Sequence, residues 1–328
     1  MRTLITGAAG FVGYWLARSL VEDGRKVILV DNFKRGRHDQ DFEGLLAHPA
    51  VTFHTVDLTT PNPLAMIDPD SIGEIYHLAA INGTENFYNI PDQVLKVNVL
   101  GTLNVLDYAR DHGNIKVLYA SSSEVYAGTV EMQGSKFIPS GEDIPLCIQD
   151  ITNPRWSYGA SKLLGESACV SYDKAYGLPF CIFRFHNIYG PRMGFEHVIP
   201  QFMQRIHRGE VPLNVYGVDQ TRAFCHVSDA VAGIRLLMET SGTSGIYHVG
   251  NDLEEIRIDD LARLVLRTVG RKEEIIPHEA PSGSVSRRCP KLDKLRILGY
   301  TPKVPLAEGL KSTWAWYKSY FDQISGVC

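Results

Sequence analysis

The sequence predicts an α/β protein whose larger part is a doubly wound parallel sheet, with a smaller α/β domain toward its C-terminal end. Three observations carry this. Short runs rich in β-branched residues alternate with longer amphipathic stretches through the first half. A glycine-spaced turn, Gly7 to Gly13, falls between the first such run and the first amphipathic stretch. After residue 184 the alternation gives way to Gly/Pro loops, a short strand and spaced helices.

Strands are expected over residues 2–6, 26–30, 51–56, 74–78, 116–121 and 179–184, and helices over 11–23, 92–112 and 158–176. In the stretch 92–112, Val94, Leu95, Val97, Val99, Leu103, Val105 and Leu106 make a broad apolar stripe at helical spacing. Strands separated by helices imply βαβ units and hence a parallel sheet. Farther on, helices are expected over 198–207, from 228, over 258–269 and over 306–320, with a strand near 213–216. Residues 1–184, with a return segment near 211–250, form the sheet domain in this reading. Residues 185–210 and 251–328 form the second domain.

Composition narrows the partners. The 328 residues are 44% hydrophobic and 21% charged, with a formal net charge of −4 and no lysine/arginine block. That argues against nucleic acid and anionic membrane, and leaves room for a small anionic ligand held by a few arginines. The six cysteines, Cys147, Cys169, Cys181, Cys225, Cys289 and Cys328, show no CxxC pair, so free thiols and no metal site are expected. Met1-Arg2 runs straight into an expected core strand rather than a cleavable apolar segment, and no apolar run is long enough to span a bilayer. A soluble cytoplasmic protein follows as the expectation.

Gly7-Ala8-Ala9-Gly10-Phe11-Val12-Gly13 follows the first strand and opens the first helix. Small residues there let the backbone approach a pyrophosphate, and the helix start offers free N–H donors at a positive dipole end. Asp31 stands 24 residues after Gly7, at the end of the second strand, where a carboxylate accepts hydrogen bonds from both ribose hydroxyls. A carboxylate there disfavours a 2′-phosphate, so NAD is the expected cofactor. Arg35 and Arg37 nearby suit a 2′-phosphate instead, and so weigh toward NADP. Gly7, Gly10, Phe11, Val12, Gly13, Asp31 and Asn32 are the cofactor-binding candidates, in what is a Rossmann-type arrangement.

Tyr158 and Lys162 lie four residues apart at the start of an expected helix, and so on one helix face. A tyrosine titrates near 10, too high for a base at neutral pH. A neighbouring ammonium favours the phenolate and is expected to lower that value. Tyr158 is thus the candidate base for a hydroxyl proton, with Lys162 as its partner and as a ligand of the nicotinamide ribose. The strand end Ala120-Ser121-Ser122-Ser123-Glu124 is expected to deliver its last residues to the same crevice.

The glycine spacing GxxGxxG, Asp57-Leu58 after the third strand and His77-Leu78-Ala79-Ala80 after the fourth together resemble the extended short-chain dehydrogenase/reductase family. The resemblance implies that Asp57 and Leu58 lie by the adenine, and that Leu78, Ala79 and Ala80 pass the cofactor's diphosphate. It matches Ser122 with the family's hydroxyl residue that hydrogen-bonds the reacting group, and places Ser123 beside the substrate. Ser122-Ser123-Glu124 resembles the Thr-Ser-Glu of UDP-glucuronate decarboxylases and GDP-mannose dehydratases, and the resemblance implies an acid that moves a proton once a ketone has formed. The same family's loops continue in Arg184-Phe185-His186-Asn187-Ile188-Tyr189-Gly190-Pro191, in Gln220-Thr221-Arg222 and in Arg287-Arg288-Cys289-Pro290. The resemblance implies that Asn187 contacts the sugar-phosphate and that Arg222 and Arg288 hold the diphosphate of a UDP- or GDP-linked sugar. Two guanidiniums on one diphosphate make bidentate, charge-assisted bonds.

The expected activity is NAD-dependent oxidation of the sugar C4 hydroxyl by Tyr158, Lys162 and Ser122, with Glu124 acting afterwards. The 4-ketone then has several fates: 4-epimerisation, 4,6-dehydration, decarboxylation, or net dehydrogenation with release of NADH. The Ile81–Ile90 stretch lacks the proline-rich pattern of the decarboxylases, and the long 127–154 segment suggests a lid or an unusual sugar. His186 reads as a core histidine, and Gly194-Phe195-Glu196-His197-Val198 has no assigned role. A non-catalytic NAD-sensing protein of the same fold is the competing class; the presence of both Tyr158 and Lys162 argues against it. The resemblance implies a homodimer or higher homo-oligomer, formed through the helices over 92–112 and 158–176.

Overall fold

The computed structural model describes residues 1–240, 242, 244–280 and 285–324; Cys328 lies outside them. Among the described residues fourteen strands and eleven α-helices follow one another. Those of the first half are β1 (Arg2–Thr6), α1 (Phe11–Glu22), β2 (Val27–Asp31), α2 (Gln40–Leu46), β3 (Val51–Thr55), β4 (Ile72–His77), α3 (Thr84–Asn89), α4 (Pro91–Asp111), β5 (Lys116–Ser122), α5 (Ala127–Gln133), α6 (Ser157–Tyr176) and β6 (Phe180–Phe185). Then come β7 (Ile188–Tyr189), α7 (Val198–His207), β8 (Leu213–Tyr216), β9 (Thr221–Ala223), β10 (Cys225–His226), α8 (Val227–Glu239), β11 (Gly245–Val249), β12 (Glu255–Arg257), α9 (Ile258–Val269), β13 (Ile275–His278), β14 (Arg287–Arg288), α10 (Asp293–Ile297) and α11 (Leu306–Ile324).

The chain divides into two compact units. The first comprises Met1–Thr129, Pro145–Phe185 and Val231–Tyr247; the second comprises Val130–Ile144, His186–Ala230 and His248–Cys328. The division differs from the expected one in two places. Residues 211–230 belong to the second unit because β8 pairs with β13 and β9 pairs with β12 and β14, all outside the large sheet. Residues 130–144 also belong there, because Ser140 is stitched between Cys289 and Lys291 by two backbone hydrogen bonds of 2.8 Å. The long 127–154 segment is therefore part of the second unit's framework over much of its length, not a loose lid. It leaves and re-enters the first unit at adjacent points, where the Thr129 hydroxyl donates to Pro145 O at 2.6 Å.

The main sheet has seven strands in the order β11-β6-β5-β4-β1-β2-β3, with β1 to β6 parallel throughout their pairings. Strand order reverses between β1 and β4, the topological switch point where open α/β sheets hold ligands outside their carboxyl ends. Both central strands are buried over most of their length, β1 from Thr3 to Thr6 and β4 from Ile75 to His77, as parallel strands covered by helices must be. On one side Leu4, Ile75, Val105, Leu106, Val117, Cys169 and Ile182 form the core between sheet and helices. α4 and α6 pack along each other over that face. Gly165 permits this closeness: a Cβ there would sit 2.0 Å from the buried Tyr119 hydroxyl.

In the second unit α7, α9 and α11 pack together around Ile199, Phe202, Leu261, Val265, Leu310 and Tyr317. Phe195 stacks on Phe321 at 5.8 Å between ring centroids, and the Tyr317 hydroxyl donates to Met193 O. The Gly194–Val198 stretch thus anchors the loop after β7 to α11, a packing role. His186 is buried with its ring 4.6 Å from that of His248, and so is a core histidine.

Candidate active site

The turn after β1 is built for close approach. Gly7 has φ +71°, and a Cβ there would lie 2.7 Å from Ala79 N. At Gly13 a Cβ would lie 2.2 Å from Gly7 O, so helix α1 meets the turn only because both are glycine. Gly10 is the N-cap of α1 and supplies no side-chain cap, leaving the first N–H groups to an anion. Asp31 ends β2, buried, with its carboxylate accepting from Ala9 N at 3.0 Å and Phe33 N at 2.8 Å. Burial raises its pKa, and those backbone donors oppose the rise. Asp31 therefore also pins the glycine turn to the end of β2. Asn32 accepts from Lys34 N at 3.0 Å. These features make a cradle of backbone donors with a carboxylate at one end, and they fit a dinucleotide.

Asp57 lies exposed after β3, held in a turn by Thr59 N at 2.9 Å and Thr59 Oγ1 at 2.8 Å. Those hydrogen bonds, chiefly the backbone one, hold its carboxyl below the usual range. Leu58 is buried beside it and its carbonyl accepts from Asn104 at 2.7 Å. Leu78, Ala79 and Ala80 follow β4, with Leu78 N donating to Thr6 O.

The catalytic candidates come together at the end of β5 and the start of α6. Ser122 closes β5, and its Oγ accepts from Glu124 N at 3.2 Å. Glu124 is half-buried, and its carbonyl lies against Gly159, where a Cβ would be only 2.9 Å away. Tyr158 is 6% exposed, in an apolar cluster with Ile81, Phe87 and Val94. Phe87, on the short helix α3, stacks face to face on the Tyr158 ring at 5.1 Å and 14°. Lys162 is 3% exposed; its Nζ donates to Ala120 O at 2.7 Å and lies 5.8 Å from the centre of the Tyr158 ring.

The electrostatics correct one expectation. Tyr158 is not brought down by Lys162: burial pushes its pKa up to about 12, and the Glu124 charge adds to that rise. Arg35 and the Ser122 hydroxyl pull the other way. Burial also pushes Lys162 down to about 7, because a desolvated ammonium is itself disfavoured. A spacing of four residues reveals the pair but not the cost of burying both groups.

Three residues of this site escaped the sequence reading. Asn98, buried on α4, accepts from Ile81 N at 2.8 Å and donates to Ser161 Oγ at 2.9 Å. Phe87 supplies the face of the tyrosine ring, from a stretch read only as loop. Glu166 accepts from Ser121 Oγ at 2.5 Å and pairs with Arg184 at 2.7 Å, both charges almost wholly buried. An Asn or Glu inside an amphipathic helix gives little sequence signal unless the facing strand is known.

The second unit holds the remaining candidates. Asn187 has φ +43°, with its side chain donating to Ala223 O at 3.0 Å. Arg222 and Arg288 are direct register partners on the parallel strands β9 and β14. The Arg222 guanidinium donates to Val285 O at 2.5 Å, Thr221 O at 2.8 Å and Gln220 Oε1 at 3.0 Å, which fixes its plane. Ser123, in the first unit, is buried behind Ser122. Among the described residues no cluster of three or more His, Cys, Asp or Glu side chains suits a metal ion. No described helix is long and apolar enough to cross a membrane.

A doubly wound sheet with a glycine cradle at its switch point, and a Tyr/Lys pair beside the end of β5, defines a dinucleotide-dependent enzyme of the short-chain dehydrogenase/reductase type. Comparison with known proteins gives the family. Residues 3–250 match the model of the NAD dependent epimerase/dehydratase family, and the chain belongs to it. It is 36% identical over 98% of its length, and 73% of the relative's, to a UDP-glucuronic acid decarboxylase 1 of Xenopus tropicalis. It is 33% identical over 97% of its length, and 98% of the relative's, to a UDP-N-acetyl-alpha-D-glucosaminuronate decarboxylase of Bacillus cytotoxicus. Among solved structures, a UDP-glucuronic acid 4-epimerase of Bacillus cereus, in complex with UDP-glucuronic acid and NAD, superposes with a TM-score of 0.85 at 25% identity, covering 98% of this chain and all of that one. The chain is an NAD-dependent enzyme of the nucleotide-sugar epimerase, dehydratase and decarboxylase group.

Proposed function

We propose that this enzyme oxidises the C4 hydroxyl of a UDP-linked uronic acid and then expels the sugar's carboxyl carbon as carbon dioxide. The observation that carries the reading is the carboxylate of Glu124, two residues past the end of β5, whose charge is felt at the Tyr158 phenol and whose backbone N–H donates to Ser122 Oγ. Bound NAD supplies the acceptor for the hydride and returns it where the ketone is reduced again. Gly7, Gly10, Phe11, Val12 and Gly13 would hold its diphosphate with Leu78, Ala79 and Ala80, Asp31 and Asn32 a ribose, Asp57 and Leu58 the adenine, and Lys162 the nicotinamide ribose. Tyr158 takes the proton of the C4 hydroxyl, which Ser122 orients. A ketone at C4 turns the uronate into a β-keto acid, so the bond from C5 to the carboxyl carbon breaks with its electron pair left on C5. Glu124 is the acid that hands a proton to C5.

Support for the uronic acid and for UDP comes from the two decarboxylase relatives and the 4-epimerase of Bacillus cereus, all named for UDP-linked uronic acids. Asn187, Arg222 and Arg288 suit a sugar-diphosphate by their chemistry, and nothing in them selects UDP over GDP. A second reading, 4-epimerisation of the same uronate, is favoured by α3: the stretch 81–90 forms a helix that lays Phe87 on the catalytic tyrosine, not a proline-rich loop. Five free thiols, four of them buried, suit a reducing cytoplasm. Exposed leucines on α4 and α6 suit a homodimer.

The deciding experiment incubates the protein with NAD and UDP-glucuronate, UDP-N-acetylglucosaminuronate and neutral UDP-, dTDP- and GDP-sugars, and reads product mass and NADH absorbance. Loss of carbon dioxide supports the proposal. An unchanged mass with inverted C4 makes it an epimerase, loss of water a dehydratase, and accumulating NADH a dehydrogenase. Tyr158→Phe should lower turnover by about 10²- to 10⁴-fold while NAD still binds; retained turnover removes the tyrosine from the chemistry.

A further inference from the structure

Two runs of largely buried hydrogen bonds, joined through the residue Asn98, lead across the first unit from the turn after β4 to the helix carrying Tyr158. Ala79 N donates to Thr6 Oγ1 at 3.4 Å. Thr6 Oγ1 lies 2.7 Å from His77 Nδ1, its register partner across β1 and β4. His77 Nε2 lies 3.1 Å from Thr102 Oγ1 on α4. Thr102 Oγ1 donates to Asn98 O at 2.6 Å. Asn98 Nδ2 donates to Ser161 Oγ at 2.9 Å, and Ser161 Oγ donates to Tyr158 O at 2.7 Å.

Counting donors fixes the direction. Each threonine hydroxyl has one hydrogen. Thr102 spends its hydrogen on Asn98 O, so it accepts from His77, which must carry its proton on Nε2. His77 Nδ1 then accepts, and Thr6 is the donor to it. Burial first, and the Lys162 charge second, hold the His77 pKa down at about 3, so the ring stays neutral and the direction holds. The Asn98 amide is fully used as well: Oδ1 accepts from Ile81 N at 2.8 Å and Nδ2 donates also to Ile81 O at 3.2 Å. The line therefore grips the turn after β4 on both sides of Ala80, at Ala79 through Thr6 and at Ile81 through Asn98. Its other end is the backbone carbonyl of Tyr158. Along it no hydroxyl or ring nitrogen has a spare hydrogen; the bonds are unbroken from Ala79 to the Asn98 carbonyl, and the step from there to the Asn98 amide is covalent, within one residue whose side chain is itself held by Ile81.

We propose that Thr6, His77, Thr102, Asn98 and Ser161 are positioning residues that couple the turn lining the cofactor cradle to the helix carrying Tyr158 and Lys162. The inference rests on the reading of the glycine turn as the NAD site and of Tyr158 as the base. Buried polar groups that merely satisfy one another locally would respond independently. Coupled ones would not, and Thr6 and Ser161 share no contact except through this line.

The test is a double-mutant cycle on NAD affinity, measured by titration calorimetry on the full chain, with Thr6→Val, Ser161→Ala and both together. Each single change should weaken NAD binding about tenfold, and the pair together no more than about threefold beyond the weaker single variant. Effects that multiply, or a Ser161→Ala protein that binds NAD as the unmodified chain does, overturn the proposal. Thr102→Val and Thr102→Ser guard against a folding defect: the serine keeps the hydroxyl and should bind NAD within about twofold of the unmodified chain, while valine should not. Equal losses in both overturn it. Because NAD affinity is read without turnover, the cycle stands apart from the fate of the Tyr158→Phe experiment.

Discussion

At Tyr158 the last residue of β5 and a residue of the turn after it act in opposite directions. Glu124 raises the tyrosine's pKa and the hydrogen bond from Ser122 lowers it, both against a larger rise from burial. In the proposed reaction Tyr158 works deprotonated, so lowering its pKa extends activity to lower pH and raising it does the reverse. Glu124→Gln should therefore move the ascending limb of the pH profile of single-turnover NADH formation to lower pH, and Ser122→Ala should move it to higher pH. Profiles on one substrate check both signs, and limbs that move together or stay still contradict this electrostatic picture. Glu124→Gln should also block the step after ketone formation while single-turnover NADH formation persists. That Tyr158, Lys162, Ser122 and Glu124 lie together at the end of β5 and the start of α6 was legible, because each falls beside a predicted strand end or helix start. Asn98, Phe87 and Glu166 were not, because what matters about them is which strand or ring they face. The pKa directions were illegible for the same reason: they follow from burial, which a spacing of four residues does not reveal.

At the scale of elements, β6 was legible as a strand, but the role of its last arginine was not. Arg184 heads the RxxNxYGP pattern that resemblance ties to nucleotide sugars, yet its guanidinium is 1% exposed and grips Glu166 of α6 through two bonds, 2.8 and 2.7 Å. With Ser121 bonded to the same carboxylate, this pair fastens β5, β6 and α6 together, on the elements that carry Ser122, Tyr158 and Lys162. Removing one partner strands a buried charge. Arg184→Met should cost about 3–5 kcal/mol of unfolding free energy, and Glu166→Gln added to it should recover part of the loss. Urea unfolding of the single and double variants measures this; an Arg184→Met protein as stable as the unmodified chain would make the ion pair irrelevant. The six expected strands of the first unit all formed within two residues of their expected ends, since buried parallel strands are continuous apolar runs. The seventh, β11, has no run of that kind to mark it, and α2 and α3 are too short for periodicity to show.

For the whole molecule the question left by the fold is what covers α4 and α6. Their inner faces are consumed by the sheet: Val94, Val105 and Leu106 on one, Gly165 and Cys169 on the other. Outward, Leu95 is 38% exposed, Leu100 40% and Leu164 50%, with Val99 and Leu103 half-buried one and two turns from Leu95. A single exposed leucine means nothing on a soluble protein. A stripe at i, i+4 and i+8 on one helix, beside Leu164 on its packed neighbour, is the pattern of a helix face that meets another helix. Two such helices of 21 and 20 residues, each about 30 Å long, suit a two-fold bundle in which each face meets its own copy. An interface of ordinary size buries about 800 Å² per partner, and charges placed at its centre are costly. The protein should therefore sediment as a dimer at micromolar concentration, and Leu95→Asp with Leu164→Asp should give a monomer that still binds NAD. An unmodified chain that sediments as a monomer, or a double variant that remains dimeric, would show that these helices face solvent and that the leucines serve only their own unit.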